Sequence, residues 1–232
     1  DGVVAAARRQ AADIGRGEPF GHHTSSGTAL DRLANEDVLA SRVIENVAVA
    51  SDVASAHAAL LASPAHRANI FDPDVESGGV GVVLRQDSRG RWSAVVSEVF
   101  VELLPEVSER EQLLLESLNG ARRSAGLLEL KSSRVLSNEA REAAQWVVES
   151  DGLSLPEAIR QQLAEKVRFH YVGVGRVGVD LIVTNNLAAA SQLANLRGRT
   201  YDEIGIGAAV LRRTNGVHPP GTLVAVLVFA ER

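Results

Sequence analysis

The sequence contains neither cysteine nor methionine. Without thiols it forms no disulfide framework and no thiolate metal site, and redox chemistry says nothing about its compartment. Because there is no initiator methionine, we expect a processed product or a piece of a longer chain, so any signal peptide would be absent from this sequence and location cannot be deduced from its absence. No apolar run approaches the roughly 18 to 20 residues of a membrane-spanning helix, which excludes a membrane-embedded chain.

Basic residues give no sign of a nucleic-acid partner. The net charge is −5, with 9 basic against 14 acidic residues up to Leu104 and 15 against 15 beyond it. A protein that binds a phosphate backbone is expected to carry a basic excess on the binding domain. Neither half of this chain has one.

The 232 residues are enough for two small domains, each with its own core. A Gly-x-Gly strand, a polar turn and a second strand occur twice, so that Gly79 and Gly81 match Gly205 and Gly207 at an offset of 126 residues. The helical stretches "AAARRQAAD" and "NEAREAAQW" match at an offset of about 133. The repetition predicts an internal duplication.

The local patterns predict a mixture of helices and strands. Residues 1–16 have helical spacing from the first residue, so we expect the start of this domain to lie upstream. Residues 51–63 form a predicted helix with Ser51 or Asp52 as its N-cap, and residues 78–100 a predicted antiparallel hairpin.

Two further helices are predicted in the second half. Residues 107–126 are expected to form one that ends at Gly126, and residues 137–150 another, capped by Ser137 or Asn138.

Four motifs occur in a fixed order over roughly 80 residues of the first half. They are "PFGHHTSSGTALDR", with a histidine before a glycine and an arginine, then "ENVA", "SPAHRANI" and "GVGV". In this order they resemble the bacterial branch of the CAP superfamily, which includes cysteine-rich secretory proteins, antigen 5 and plant pathogenesis-related proteins. The second half resembles the family more faintly: "LANLRGRT" stands where the histidine motif is expected.

The resemblance implies an α+β fold, a small antiparallel sheet between helical layers in an α-β-α sandwich, in two tandem copies. The implied domains are residues 1–104, CAP-like, and residues 105–232, a degenerate copy. Family members are mostly secreted or displayed on the cell envelope, several bind lipids or sterols, and no general enzymatic activity is established for them. A small molecule or lipid is therefore the expected partner.

Carried over by motif, the family's cleft falls on His22, Glu45 and His66. Two imidazoles, one carboxylate and water would suit an open zinc-type site, and Ni or Mg would also be acceptable. The neighbouring His23 leaves open which histidine faces the cleft. Glu98 is left open between the cleft and the surface.

Other polar residues of these motifs have simpler interpretations. His57 is expected on an exposed helix face. Ser63 and Pro64 are expected to end one helix, and Arg67 and Asn69 to fix a loop by hydrogen bonds.

Two apparent catalytic signals fail on context. "GVGRVG" at residues 173–178 leads into a β-branched run, whereas a dinucleotide site needs a helix N-terminus. Ser63 and His66 lie outside any G-x-S-x-G elbow.

Two functional hypotheses follow. The first is a binding or structural module outside the cytoplasm, and the second a metal-dependent hydrolase of peptide or cell-wall material using water activated at His22, Glu45 and His66. A structural alternative has the predicted helix at 108–125 complete the first sheet.

Overall fold

The computed structural model describes residues 2–150, 152–187, 190, 193 and 195–232. The chain forms two compact units, one of residues 1–104 with 212–221, the other of residues 105–211 with 222–232. Within the described residues, no helix is both long enough and apolar enough to cross a membrane.

The first unit is built on a three-stranded antiparallel sheet. The predicted hairpin is confirmed as β2 (Ser77–Gln86) and β3 (Trp92–Leu103), with β3 in the centre of the order β1-β3-β2. The first strand, β1 (Ala40–Ala50), was not predicted. Its central residues are mostly polar or small, so the alternation that marks a half-buried strand is weak there.

Four helices cover the two faces of this sheet: α1 (Gly2–Gly15), α2 (Ala29–Asn35), α3 (Val53–Ala62) and α4 (Pro64–Ile70). Helix α3 begins after Asp52, whose side chain accepts the amide of Ser55. Of the two predicted caps, Asp52 is therefore the one used, because its carboxylate satisfies an amide that has no partner within the helix.

Alternation along the strands assigns each helix to a face. Val47 and Val95 pack with α1, whereas their chain neighbours Ala48 and Val96 pack with α3. Since successive side chains of a strand point to opposite faces, the sheet lies between two helical layers. The α-β-α sandwich expected for this unit is confirmed.

The second unit has helices on both faces of a four-stranded sheet, in the order β4-β6-β7-β5. Strand β4 runs parallel to β6, and the other pairs are antiparallel. A 3-10 turn precedes β6. The elements are α5 (Val107–Ser124), β4 (Lys131–Ser132), α6 (Arg134–Glu149), α7 (Glu157–His170), β5 (Val177–Thr184), the 3-10 turn (Asn195–Arg197), β6 (Glu203–Val210) and β7 (Leu223–Ala230).

Helix α5 covers the sheet of its own unit. Its buried Leu114 and Leu118 lie in one apolar cluster with Ile206 and Leu227 of the second sheet. The alternative in which this helix completes the first sheet is therefore wrong.

Helix α6 begins earlier than predicted. Arg134 is its first residue, and Ser137 lies inside the helix, where its hydroxyl accepts the amide of Ile206 on β6. The prediction of Ser137 or Asn138 as a cap was wrong. The hydroxyl of Ser137 accepts a hydrogen bond from the sheet, and the sequence around Ser137 gives no sign of this distant partner.

Candidate functional site

Strand β1 sends two functional side chains to opposite faces of the first sheet. Glu45 lies opposite Val99 and Asn46 opposite Glu98 in the β1–β3 ladder. Val99 packs against α1, so Glu45 faces the layer of α1 and α2. Asn46 and Glu98 face the layer of α3 and α4.

Glu45 is held between a histidine and an arginine. Its Oε2 lies 2.9 Å from Nδ1 of His22, and its Oε1 accepts a hydrogen bond from Nη2 of Arg32. The side chain of Glu45 is only 5% exposed and that of Arg32 only 1%, whereas His22 is 67% exposed. The carboxylate is therefore neutralised from inside the protein, and the imidazole is the part that solvent reaches.

The guanidinium of Arg32 is fixed from a second side. Its Nη1 donates to the main-chain oxygen of Gly27 at 2.6 Å. Removing one partner from a buried ion pair leaves an uncompensated charge, which costs more than the pair itself contributes. Arg32 thus fixes both the charge and the position of Glu45.

The loop that carries His22 is tied to α1. The side-chain amide of Gln10 donates to the main-chain oxygen of Gly21, and the hydroxyl of Thr24 donates to Asp13 at 2.8 Å. Gln10, Asp13 and Thr24 are buried. Because residues 21 and 24 are both anchored, the position of His22 between them is restricted.

Of the two adjacent histidines, His22 is the one directed at Glu45. His23 instead lies close enough to Asp31 to influence its carboxyl group. Hydrogen bonds from Thr28, more than the charges of His23 and Arg32, hold the pKa of Asp31 below its ordinary value. Of the alternatives left open by the sequence, His22 is therefore the histidine that contacts Glu45.

On the other face of the sheet, Asn46 joins three parts of the unit. Its amide donates to Oε2 of Glu98 at 3.1 Å and to the main-chain oxygen of His66 at 3.0 Å. Its oxygen accepts from the amide of Asn69 at 2.8 Å. Asn46 is fully buried and cannot bond to water, so these bonds to protein groups take the place of its hydrogen bonds to water. Asn69 makes a hydrogen bond as expected, but the segment that this bond fixes is helix α4 and not a loop.

His57 is better connected than predicted. Its Nδ1 lies 3.4 Å from Oε1 of Glu98, which is 5% exposed. The prediction of an exposed helix face is confirmed, because His57 lies on α3 and its side chain is 52% exposed. The sequence did not predict its contact with Glu98, which is 41 residues further along the chain. Glu98, left open between cleft and surface, is buried.

The hydrogen-bond partners of His66 do not include His22 or Glu45. Its Nδ1 is 2.8 Å from the hydroxyl of Ser63, and its main-chain oxygen accepts from Asn46. Pro64 is the first residue of α4, as its lack of an amide hydrogen favours. Ser63 ends α3, as predicted.

The residues present do not fit a divalent metal in this arrangement. Among the described residues, no group of three or more His, Asp or Glu side chains is placed to hold a metal ion. Glu45 already compensates the charge of Arg32, and a metal would compete with that pair for the carboxylate. Metal binding by His22, Glu45 and His66 stays a prediction.

Sequence reasoning gave no functional role to Arg32 or Asn46, although both lie in the quoted motifs. Arg32 ends "PFGHHTSSGTALDR" and Asn46 follows the glutamate of "ENVA". The available signal was an arginine directly before the apolar pair Leu33 and Ala34 on a short helix, because a buried arginine needs an acidic partner.

The first unit is thus an α-β-α sandwich with a His–Glu pair on each face of its sheet, His22 with Glu45 and His57 with Glu98. Residues 1–101 match the sequence profile of the cysteine-rich secretory protein family, CAP. The resemblance to this family that the motifs indicated is confirmed over these residues. A comparison with curated proteins found no match.

Solved structures similar to the chain include bacterial members of the same group. A cysteine-rich secretory protein from Staphylococcus aureus has a TM-score of 0.41 and 14% identity, with 69% of this chain and 60% of that one covered. An extracellular protein with an SCP domain from Bacillus anthracis gives 0.42 and 13%, covering 68% and 58%. An outer surface protein of Borrelia burgdorferi gives 0.41 and 16%, covering 55% and 96%. The chain thus spans less than two thirds of the length of the first and second of these proteins.

Proposed function

We propose that this chain is a CAP-type binding module that acts outside the cytoplasm, with a site for a lipid or other small ligand at His22 and Glu45. The observation that carries the proposal is the pairing of Glu45 with the buried Arg32. A carboxylate engaged in this way is a poor general base and a poor metal ligand. The exposed imidazole of His22 remains for contact with a ligand.

We further propose that the second unit is a degenerate copy of the first. Strands β5, β7 and β6 repeat the order of β1, β3 and β2. Gly81 lies against the backbone of α1, and Gly207 lies in the same way against α6. The matching offsets in the sequence and the matching strand order support one ancestral unit.

On this proposal, the second copy would lack the glutamate that the first copy has at position 45. In the first sheet, Val99 of β3 pairs with Glu45 on one side and with Gly79 on the other. In the second sheet, Val228 of β7 pairs in the same way with Val179 and with Gly205. Val179 therefore occupies the position of Glu45, without a carboxylate. At the offset of 126, the counterpart of His66 is residue 192, which lies outside the described residues, as does Ala194 of "LANLRGRT".

One polar contact recurs at matching positions. The amide of Asn69 donates to Asn46 at 2.8 Å, and the amide of Asn195 donates to Asp180 at 3.0 Å. Asp180 follows Val179 as Asn46 follows Glu45. A bond of this kind retained without the His–Glu pair favours a role in the fold for the asparagine and a separate role in binding for the pair.

Vesicle flotation tests the ligand proposal. We expect the whole chain to float with phosphatidylcholine vesicles and the His22→Ala variant to lose this binding. His23→Ala is the matched control, because it removes the adjacent exposed imidazole without touching Glu45. Equal loss in both variants, or no flotation of the unsubstituted chain, would contradict lipid binding at His22.

The hydrolase hypothesis requires a metal, and equilibrium dialysis against zinc tests it separately. We expect the chain to retain no more zinc than its His66→Ala variant at micromolar zinc. One equivalent of zinc retained by the chain and lost in His66→Ala would favour the hydrolase and overturn the argument from the Glu45–Arg32 pair.

A further inference from the structure

One cavity of the first unit is lined in part by Arg32. It has a volume of about 460 Å³ and is bounded by α1, the loop before α2, and the end of α2. Side chains from all three segments line it, among them Arg9, Arg16, Arg32 and Asn35. The cavity belongs entirely to the first unit.

Three guanidinium groups line the cavity, and two of them already have a carboxylate partner, Arg16 with Asp13 and Arg32 with Glu45. Asp13 and the exposed Glu36 are its two carboxylates, against three guanidinium groups. Both oxygens of Asp13 are already occupied, Oδ1 by Arg16 and Oδ2 by hydroxyl groups of the loop. Asp13 is therefore already engaged by groups of the protein.

Arg32 supplies a second, independent observation. It is 2% exposed, and its Nε is buried without a hydrogen-bond partner among the described residues. Its Nη1 and Nη2 are bonded to Gly27 and Glu45. A buried donor left unpaired is costly, and a group that accepts its hydrogen bond would remove that cost.

Arg9 is the most available cation at this cavity. It is exposed, and within the described part of the chain its guanidinium makes no hydrogen bond. Its charge is close enough to Asp13 to lower the pKa of that carboxyl, together with Arg16 and the Ser26 and Thr24 hydrogen bonds, which outweigh the opposing effect of burial. The Asn35 amide at the rim adds a neutral donor.

We propose that this cavity binds a small oxyanion, a carboxylate or phosphate group, between Arg9, Arg16 and Arg32. Guanidinium groups present planar pairs of donors that match the oxygens of such anions. The serine hydroxyls of the lining are less useful, because those of Ser25 and Ser26 already donate to Glu18 and Asp13. The proposal does not depend on the ligand of His22, because neither His22 nor Glu45 lines this cavity.

Titration calorimetry of the whole chain with inorganic phosphate at low salt tests the proposal. We expect saturable binding, about tenfold weaker in Arg9→Gln because a charge-assisted contact is lost. Arg8→Gln is the matched control, since Arg8 is the adjacent exposed arginine of α1 and does not line the cavity. We expect it to weaken binding by less than about twofold, as screened surface charges do.

Two further experiments distinguish a lipid headgroup from free phosphate, and this cavity from the proposed site at His22. Flotation with phosphatidylglycerol vesicles, compared with phosphatidylcholine, shows whether a lipid headgroup supplies the anion, and Arg9→Gln is expected to reduce only the former. His22→Ala is expected to leave phosphate binding unchanged, so failure of the lipid proposal and failure of this one are distinguishable. No saturable phosphate binding, or equal losses in Arg8→Gln and Arg9→Gln, would overturn the oxyanion site.

Discussion

The side-chain amide of Asn46 donates to the main-chain oxygen of His66 at 3.0 Å, and this bond joins two motifs that are 20 residues apart. Asn46 is fully buried on the sheet, and His66 lies on α4 at the surface of the unit. The loop and helix that carry the second histidine motif are therefore held to the sheet through an asparagine and its neighbours.

Asn46→Ala is expected to lower the free energy of unfolding by about 3 kcal/mol, because it leaves buried partners without their hydrogen bonds. Asn69→Ala is the control: it removes one of the three bonds and is expected to cost about 1 kcal/mol. Urea denaturation measures both. Equal effects of the two substitutions would show that Asn46 has no central role.

The ion pair of Glu45 and Arg32 is expected to behave as a unit. Glu45→Leu alone leaves the buried guanidinium uncompensated and should cost about 3–5 kcal/mol. Adding Arg32→Met removes that charge, so the double variant should be more stable than Glu45→Leu. A double-mutant cycle from urea unfolding gives the coupling, and additive losses would argue against a strong pair.

The acid stability of the first unit is expected to depend on Asp13. Burial would raise the pKa of Asp13, but the hydrogen bonds from Ser26 and Thr24, with the charges of Arg16 and Arg9, bring it below its ordinary value. A folded-state pKa below the unfolded value stabilises the protein above about pH 3.9, and this contribution is lost as the pH falls through the folded value.

We therefore expect Asp13→Asn to cost about 1–3 kcal/mol at neutral pH and progressively less below about pH 4. Thermal unfolding followed across this range measures the difference. A cost that stays constant down to about pH 2 would contradict the assignment, because the carboxylate would then not be the group responsible.

Asp180 in the second unit is expected to change stability with pH in the opposite direction to Asp13. Burial raises its pKa above the ordinary value, more than the Asn195 hydrogen bond and the charge of Arg160 lower it. Its Oδ2 is buried and has no hydrogen-bond partner among the described residues. The folded protein favours the protonated carboxyl more than the unfolded chain does. Stability is therefore lost as the pH rises from about 3.9, the unfolded-state pKa, through the pKa of Asp180 in the folded protein.

Asp180→Asn is therefore expected to raise the free energy of unfolding at neutral pH, by about 1 kcal/mol, and to have little effect near pH 3. The Asn195→Ala variant serves as the comparison, since it removes the bond to Oδ1 and should destabilise. A loss of stability in Asp180→Asn at neutral pH would show that ionised Asp180 is needed.

Two glycines are expected to be intolerant because helices lie directly over them. A Cβ at Gly81 would be 2.2 Å from the main-chain oxygen of Ala7, and one at Gly207 would be 2.0 Å from the amide nitrogen of Arg141. Alanine at either position should destabilise its unit by about 3 kcal/mol, because helix and strand must separate.

Gly120→Ala is the control for these two substitutions. Gly120 lies within α5, where the nearest atom to a new Cβ would be 3.8 Å away, so alanine should stabilise by about 0.5–1 kcal/mol. Circular dichroism melts of the three variants measure the effects. Tolerance of alanine at Gly81 or Gly207 would mean that the helices are packed less closely than the structure shows.

Much of the fold was predictable because its signals are local. The hairpin of β2 and β3 shows alternation and a polar turn, and the helix at α5 has clear spacing and a Gly126 with a positive φ of 69° just after its end. Strand β1 and helix α7 were missed. β1 mixes polar and apolar residues on both faces, and α7 carries only three buried residues among exposed charges.

The candidate site was predictable only as a set of residues. The motifs pointed to His22, Glu45, His66 and Glu98, but no spacing along the chain says which of them meet. Glu45 and Asn46 are neighbours in sequence and face opposite layers, and the partners of each come from helices and loops distant in sequence.

The sequence by itself determined the mixed α and β content, the motifs of the first unit, and the Gly-x-Gly strands that allow a helix to lie close. These depend on side-chain period and on residues that have no Cβ, which are local properties. The tertiary structure alone decided that Glu45 is neutralised by Arg32 and that His57 meets Glu98. Those pairings arise from sheet register and from which helix covers each face, and both depend on contacts between distant parts of the chain.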